Sequence, residues 1–343
     1  MKVAVYDGPR LPFRIEERPI PEPARGELLI RIGRCGICAT DVHTFTGEAG
    51  LPTGGVYGHE FAGEVVARGE AVEDFALGDR VTGQCVTGCG HCEACREGHL
   101  VFCPEWRHHA PGGFAQYMTL PAREAYRLPS PLTLADGALV EPLAVGLRGA
   151  RLAEIGPETR VLVLGAGAIG VSAAFWARRL GASRVAVAAA SDRRRRFALE
   201  MGASGFIVLR GSDGLEADSA AASEIAAMLG GPPDVVLECA GIPGAVMNAM
   251  HFVRAKGTIV VMGYGVHPEQ IVTAVPLFKE LRLLFSMTYD RSDYRQVIDT
   301  LAEGRLEPRC MITQTIPLEG LTAAVEGLLD RAPQCKVMVD PWM

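Results

Sequence analysis

The chain has 343 residues, 48% of them hydrophobic and 22% charged, which is the composition of a globular protein too long for a single hydrophobic core. Its net charge of −6 excludes general binding to nucleic acid or to anionic membranes, and no apolar run of about 18 residues predicts a membrane span. Ten cysteines without an export signal favour metal binding over disulfides and predict a reducing cytoplasm.

Residues 1–85 contain short apolar stretches between proline and glycine turns, which predicts an all-β, barrel-like unit. Within this unit, Cys38, Thr40 and His43 are followed by the triplet Gly58-His59-Glu60. A thiolate, an imidazole and a carboxylate are the ligands of a catalytic zinc that keeps one position open. A lone buried Cys is common, and so is a His-Glu pair that has no function at the surface or in the core. Their combination in so short a stretch favours a catalytic zinc site.

A second cysteine group follows at Cys89, Cys92, Cys95 and Cys103. Two overlapping C-x-x-C steps and a fourth nearby cysteine can enclose one tetrahedral ion completely, which predicts a structural zinc. The alternative is an iron–sulfur cluster, whose fourth cysteine is followed by proline. Cys103 is followed by Pro104, but seven residues separate Cys103 from Cys95, which is the wrong spacing for that motif. Zinc is therefore favoured.

A helical pattern runs from Ala135 to Leu152 and contains Glu141-Pro142. An acid before a proline is unusual in an otherwise apolar helix. Glu141 is either a charge near a helix N-terminus or part of the metal site, and we favour the metal site.

A nucleotide-binding pattern begins with the buried strand Val161–Leu164 and continues through Gly165, Gly167 and Gly170. The first glycine allows a tight turn, the second a close approach of backbone to a pyrophosphate, and the third close packing of helix on strand. Ala168 and Ile169 open the helix whose N-terminus would face the phosphates. Strands and helices then alternate to Met262, which predicts a doubly wound parallel sheet.

The end of the second strand of this sheet indicates the cofactor. An acid about 20 residues past the glycines would bind the ribose hydroxyls of NAD. Ala189 stands there instead, followed by Ser191, Arg193 and Arg194. Since arginine suits a 2′-phosphate, we predict NADP. NAD remains possible if Asp192 takes the role of the acid or if the arginines are only a solvated helix start.

The motifs together resemble the zinc-dependent medium-chain dehydrogenase/reductase family, in particular its polyol, threonine and butanediol dehydrogenase branch. The resemblance also rests on Gly113–Tyr117, Glu141-Pro-Leu and the closing Lys336–Val339. It implies an α/β protein with a GroES-like β-barrel catalytic domain at 1–145 and 286–343. A Rossmann domain at 146–285 would be inserted between these segments.

By the same resemblance, Cys38, His59 and Glu60 would bind the catalytic zinc, with Glu141 as a fourth ligand or as a partner that exchanges with water. Thr40 would touch the substrate oxygen, and His43 would pass the proton outward. Asp41 would orient its surroundings.

The implied reaction is the reversible oxidation of a secondary alcohol, diol or polyol to a ketone, with two zinc ions per chain. Ser286–Arg291 departs from the Arg-Tyr pair of polyol dehydrogenases and is closer to the butanediol-type pattern, which counts against a sugar alcohol. Amino alcohols, aldehydes and acetoin-type ketones are the alternative substrates. The chain could also be a non-catalytic relative or a metal-binding regulatory module. The resemblance also implies a homodimer or homotetramer. The apolar stretch Lys279–Phe285 predicts a strand that could pair with its copy across a two-fold axis.

Overall fold

The computed structural model describes residues 1–109, 111–209, 219–330 and 333–343. The strands are β1 Lys2–Val5, β2 Arg14–Glu17, β3 Glu27–Gly36, β4 Glu60–Arg68, β5 Arg80–Gly83, β6 Val86–Thr87, β7 Arg107–His108, β8 Tyr117–Pro121, β9 Ala125–Arg127, β10 Arg160–Leu164, β11 Arg184–Ala189, β12 Gly205–Val208, β13 Val235–Glu238, β14 Thr258–Val261, β15 Arg282–Phe285, β16 Ile312–Ile316 and β17 Lys336–Val339. The α-helices are α1 Ala39–Thr46, α2 Glu93–Glu97, α3 Leu134–Leu152, α4 Ala168–Arg179, α5 Arg195–Glu200, α6 Ser219–Leu229, α7 Ala245–Phe252, α8 Ala274–Lys279, α9 Arg291–Ala302 and α10 Leu321–Leu329. Within the described part of the chain, no helix is both long and apolar enough to span a membrane.

Contacts divide the chain into two units. One unit combines Met1–Glu141 with Asp290–Met343, and the other is Pro142–Tyr289. The C-terminal tail therefore completes the unit that the N-terminal residues begin. We refer to them as the zinc unit and the nucleotide unit.

The zinc unit is built on a seven-stranded sheet in the order β16-β17-β3-β4-β5-β9, with β8 also paired to β3. Leu28, Ile30 and Ile32 alternate along β3, and all three are fully buried. This period of two is what a strand with one face on the core requires. The pairing of β3 with β4 sets Gly36 opposite Glu60, which fixes where the candidate metal ligands lie.

The expectation that residues 1–85 are all β is wrong at one place, because Ala39–Thr46 forms helix α1. The Asp41 carboxylate accepts a hydrogen bond from the Cys38 backbone N–H (2.8 Å), as a helix cap does. Gly47 ends the helix in the left-handed conformation with φ 86°. Eight residues are too few to show clear helical periodicity in the sequence.

Helix α9 of the tail is fixed to the zinc unit by the fully buried Tyr294. Its hydroxyl donates to the Gly83 carbonyl oxygen (2.7 Å) and lies 2.9 Å from the Thr82 hydroxyl. Asp136 and Arg309 add a two-bond ion pair at 2.7 and 2.8 Å. These contacts hold the C-terminal segment on strand β5 and on the start of helix α3.

The nucleotide unit contains a six-stranded sheet in the order β12-β11-β10-β13-β14-β15, and each neighbouring pair is parallel. Its strands are almost continuously apolar because helices cover a parallel sheet on both faces. The order changes direction at β10, and ligands bind at such a switch point in doubly wound folds. The predicted α/β class and Rossmann topology are confirmed.

Candidate active site

Three predicted zinc ligands come together in the zinc unit. The Cys38 sulfur, a ring nitrogen of His59 and a carboxylate oxygen of Glu60 all lie within 4.8 Å of one another. Cys38 directly precedes α1, where the positive end of the helix favours a thiolate. Glu60 begins β4 beside Gly36 of β3, so strand pairing sets the spacing of these groups.

The Glu60 carboxylate indicates that this cluster fits a metal ion. Glu60 is completely buried, and its Oε2 atom has no hydrogen-bond partner among the residues that the structure describes. Leaving a buried carboxylate oxygen unsatisfied is costly, whereas a cation at this position would satisfy it. With the adjacent thiolate and imidazole, the donor set is that of a zinc site with room for a further ligand.

Lys336 holds the other Glu60 oxygen, a role that the sequence analysis did not assign to it. The Lys336 Nζ atom donates to Glu60 Oε1 (2.6 Å) and to the Ile37 carbonyl oxygen (2.9 Å), with only 2% of its side chain exposed. Burial alone would lower the Lys336 pKa, but the Glu60 carboxylate and the Cys38 thiolate outweigh burial and raise it. Lys336 therefore stays charged, and Glu60 is oriented with one oxygen left for a metal.

Thr40 and His43 follow Cys38 along α1. The Thr40 hydroxyl lies 3.4 Å from the Cys38 sulfur. His43 is three residues further along the helix and thus on the same side. Its Nδ1 atom lies 2.7 Å from Glu48 Oε2, a partner that the sequence analysis missed. The chain reversal at Gly47 brings the exposed Glu48 back to this imidazole.

Glu141 is 4% exposed and lies at the end of the first segment of the zinc unit. It is not one of the three residues within 4.8 Å. Against the opposing effect of burial, the pKa of the His59 imidazole is raised chiefly by the Cys38 thiolate, with a smaller contribution from the charge of Glu141. Its service as a fourth ligand or exchanging partner stays a prediction.

The second cluster contains the four predicted cysteines. The sulfurs of Cys89, Cys92, Cys95 and Cys103 lie within 4.8 Å of one another. Backbone N–H groups of Cys92 and Cys95 donate to the Cys89 and Cys92 sulfurs at 3.4 Å. Such donors favour thiolates, and those of His91 and Cys92 lower the pKa of Cys89. Four converging sulfurs leave no position for a substrate, which fits a structural zinc.

A pocket opens beside His59 in the same unit. Thr40, Leu51, Tyr57, His108 and His109 are among its lining residues. No motif in the sequence predicts a role for the two adjacent histidines. His109 Nε2 lies 2.8 Å from the Gln84 carbonyl oxygen, and burial lowers its pKa to about 4, so it is a neutral core residue.

The nucleotide unit carries the glycine motif in the predicted strand–turn–helix setting. Gly165 has φ 102°, and a Cβ atom there would lie 2.9 Å from the Ala240 nitrogen. A Cβ on Gly170 would overlap the Gly165 carbonyl oxygen, so helix and strand could not approach as they do. Around Gly167, a Cβ would meet, among the described residues, only an Arg194 nitrogen at 4.0 Å, which leaves room for a phosphate. Ala168 and Ile169 follow as the first residues of α4.

The arginine run divides into two pairs. Arg195 and Arg196 lie over the rings of Phe206 and Phe197, at 5.1 and 4.9 Å from the ring centroids. The other pair lies before α5.

Ala189 ends β11, as the sequence analysis expected for the position without an acid. In the turn that follows, Arg193 donates to the Ser191 hydroxyl at 3.1 Å. Arg194 stands next to Gly167 of the glycine motif. The predicted cofactor residues thus lie at the carboxyl-terminal ends of the neighbouring strands β10 and β11.

Comparisons with known proteins agree with this geometry. Residues 24–130 match the alcohol dehydrogenase GroES-like domain, and residues 168–303 match the zinc-binding dehydrogenase family. Sorbitol dehydrogenase of Bacillus subtilis is 31% identical over 99% of this chain and 97% of its own length. The chain belongs to the zinc-dependent medium-chain dehydrogenase/reductase family. It is accordingly an NAD(P)-dependent alcohol dehydrogenase of the zinc type.

Solved structures show the same fold. A Sinorhizobium meliloti protein described as a candidate zinc-binding dehydrogenase, solved with NADP, is 33% identical with a TM-score of 0.87 and covers 99% of both chains. An Escherichia coli alcohol dehydrogenase complexed with NADH is 29% identical with a TM-score of 0.88, again over 99% of both chains. Members with this fold therefore use either nucleotide, and the fold does not decide the preference.

The Lys336–Glu60 pair predicts a large effect of Lys336→Met on stability. This change leaves a buried carboxylate without its cation, and the free energy of unfolding of the zinc-depleted protein should fall by about 3–5 kcal/mol. Chemical denaturation measures this loss in the free energy of unfolding. The control Lys2→Met breaks the exposed Lys2–Glu319 pair (2.9 Å) and should cost no more than about 1 kcal/mol. Equal effects of the two changes would contradict the role given to Lys336.

Proposed function

We propose that this dehydrogenase reversibly oxidises a secondary alcohol, diol or polyol to the ketone and prefers NADP. The observation that carries the proposal is the cluster of Cys38, His59 and Glu60, with one buried carboxylate oxygen left without a partner. The similarity to a sorbitol dehydrogenase supports a substrate of the polyol class. The same residues could serve an amino alcohol, or a carbonyl compound in the reverse direction.

Cys38, His59 and Glu60 would hold the catalytic zinc, with Glu141 nearby, and the four-cysteine cluster would hold the structural zinc. When bound, the catalytic zinc supplies Lewis acidity that makes a substrate hydroxyl easier to deprotonate. The nicotinamide of the bound cofactor supplies the hydride acceptor.

The chain's own residues would manage the proton. Thr40 lies next to Cys38 and can accept a hydrogen bond from a substrate hydroxyl. His43, on the same side of α1, can receive the proton and release it toward solvent. The Glu48 carboxylate at its Nδ1 atom would hold the N–H on that nitrogen, so that Nε2 stays the acceptor.

The NADP preference rests on the turn after β11. Ala189 brings no negative charge to a 2′-phosphate, and Arg193 and Arg194 offer charge-assisted hydrogen bonds to it. Arg194 also lies beside the glycine motif. Asp192 in the same turn is the group that would favour NAD.

The metal assignment predicts that Cys38→Ser and His59→Ala each abolish turnover while NADPH still binds. Each change removes a ligand of one zinc, so metal content should fall from two ions per chain to one. Elemental analysis, initial rates and nucleotide-binding titration measure the three effects. Cys310→Ser, which alters a cysteine outside both clusters, should keep both ions. Normal turnover by either ligand variant in a zinc-depleted preparation would overturn the mechanism.

The cofactor assignment predicts that Arg194→Ala raises the KM for NADP about tenfold or more, since a charge-assisted hydrogen bond contributes about 1.5–3 kcal/mol. The KM for NAD should change little. Arg196→Ala is the matched control, because Arg196 pairs with Glu200 (3.3 Å) and stacks on Phe197. Equal effects of Arg194→Ala on both nucleotides, or a wild-type preference for NAD, would contradict the assignment.

We also propose that the chain forms a homodimer or homotetramer in a reducing cytoplasm. Strand β15 is the last strand of its sheet, and Phe285 at its end is 71% exposed. Leu277 and Phe278 of the preceding helix are 73% and 87% exposed. Pairing of β15 with its copy about a two-fold axis would continue the sheet and could cover these apolar side chains.

This assembly predicts that Phe285→Glu weakens the dimer, because two like charges would meet near the two-fold axis. Light scattering should give at least twice the monomer mass for the wild type and the monomer mass for the variant at low concentration. The control Leu77→Glu alters a comparably exposed residue of the zinc unit and should leave the mass unchanged. A monomeric wild type would exclude the assembly.

A further inference from the structure

The pocket beside His59 contains an imidazole that the proposed reaction does not use. His108 lines this pocket together with Thr40 and the candidate zinc ligand His59. It lies on β7, where its backbone pairs with Val86 of β6. The strand pair therefore fixes the position from which the ring enters the pocket.

Two aromatic neighbours fix the orientation of the His108 ring. Its centroid lies 5.2 Å from that of Trp106 and 6.1 Å from that of Tyr57, with interplanar angles of 84° and 79°. Tyr57 is itself held, because its hydroxyl donates to the Pro52 carbonyl oxygen (2.6 Å). The imidazole is thus packed edge-to-face between two rings.

The ring nitrogens of His108 make no hydrogen bond to any residue that the structure describes. This contrasts with His109, whose Nε2 atom is engaged by Gln84. Burial lowers the His108 pKa, which favours the neutral ring. A neutral imidazole offers one N–H donor and one nitrogen acceptor, which complements an alcohol hydroxyl.

We propose that His108 is a specificity residue that binds a second hydroxyl of the substrate, so that vicinal diols and polyols are preferred over simple secondary alcohols. The inference rests on the proposed function, since it takes the reacting hydroxyl to lie at Thr40 and His59. A fixed polar group facing a pocket with apolar walls such as Leu51 discriminates against an analogue that lacks the hydroxyl.

The test compares 2,3-butanediol with 2-butanol, which differ by one hydroxyl, on the zinc-loaded enzyme with NADP. His108→Phe keeps the aromatic contacts but removes both nitrogens. It should lower kcat/KM for the diol about tenfold and leave kcat/KM for 2-butanol within about twofold, as expected for one neutral hydrogen bond. His108→Gln, which restores a donor and an acceptor, should recover part of the diol activity. An equal loss for both alcohols, or an unchanged diol rate, would overturn the inference.

A binding measurement separates this inference from the proposed reaction. Trp106 touches the His108 ring, so its fluorescence should report occupation of the pocket by the diol in the holoenzyme. Diol binding that weakens in His108→Phe without oxidation of either alcohol would refute the proposed reaction and retain the role of His108. Oxidation of both alcohols with diol binding unaffected by His108→Phe would refute the role of His108 and retain the reaction.

Discussion

The buried ion pair between Lys336 and Glu60 is the interaction on which the candidate catalytic site depends. The two residues are 276 positions apart, and their charged atoms lie 2.6 Å from each other. Three strands bring them together, because β17 pairs with β3 at Gly36 and β3 pairs with β4 at Glu60. Gly36 has to lack a side chain, since a Cβ atom there would collide with Glu60 Oε2. The sheet register therefore sets the metal site.

This pair also distinguishes the two metal environments. In the four-cysteine cluster, all donors are sulfurs. In the catalytic cluster, Lys336 neutralises part of the charge of Glu60. The ligands therefore donate less negative charge to a bound ion, and its Lewis acidity stays higher. One cluster is thus suited to holding the fold, and the other to polarising a hydroxyl.

Much of the nucleotide unit could be predicted from the sequence, because its strands and glycine motif are local signals. Strand β10, the turn at Gly165 and the missing acid at Ala189 all follow from neighbouring residues, and the structure has them where expected. The four-cysteine cluster could equally be predicted from the spacing of its cysteines. Helix α1 was not, because eight residues within a β-rich segment give too little periodicity.

The remaining features depend on contacts between distant parts of the chain. In the sequence, Lys336 is a polar residue at the start of the last strand, and no neighbouring residue indicates a buried partner. Glu48 reaches His43 only because Gly47 reverses the chain. A role for His108 can be inferred only from the fold, which places it in the lining of the pocket beside His59. Such residues are specified by tertiary structure and not by a local pattern.

Anomalous diffraction at the zinc edge, from crystals of the enzyme with NADP, tests the central claim most directly. The account predicts two zinc peaks per chain, one among the four cysteine sulfurs and one contacted by Cys38, His59 and Oε2 of Glu60. Lys336 should remain on Oε1 of the same carboxylate. A single peak in the cysteine cluster, or a second zinc with Glu60 turned away from it, would contradict the account.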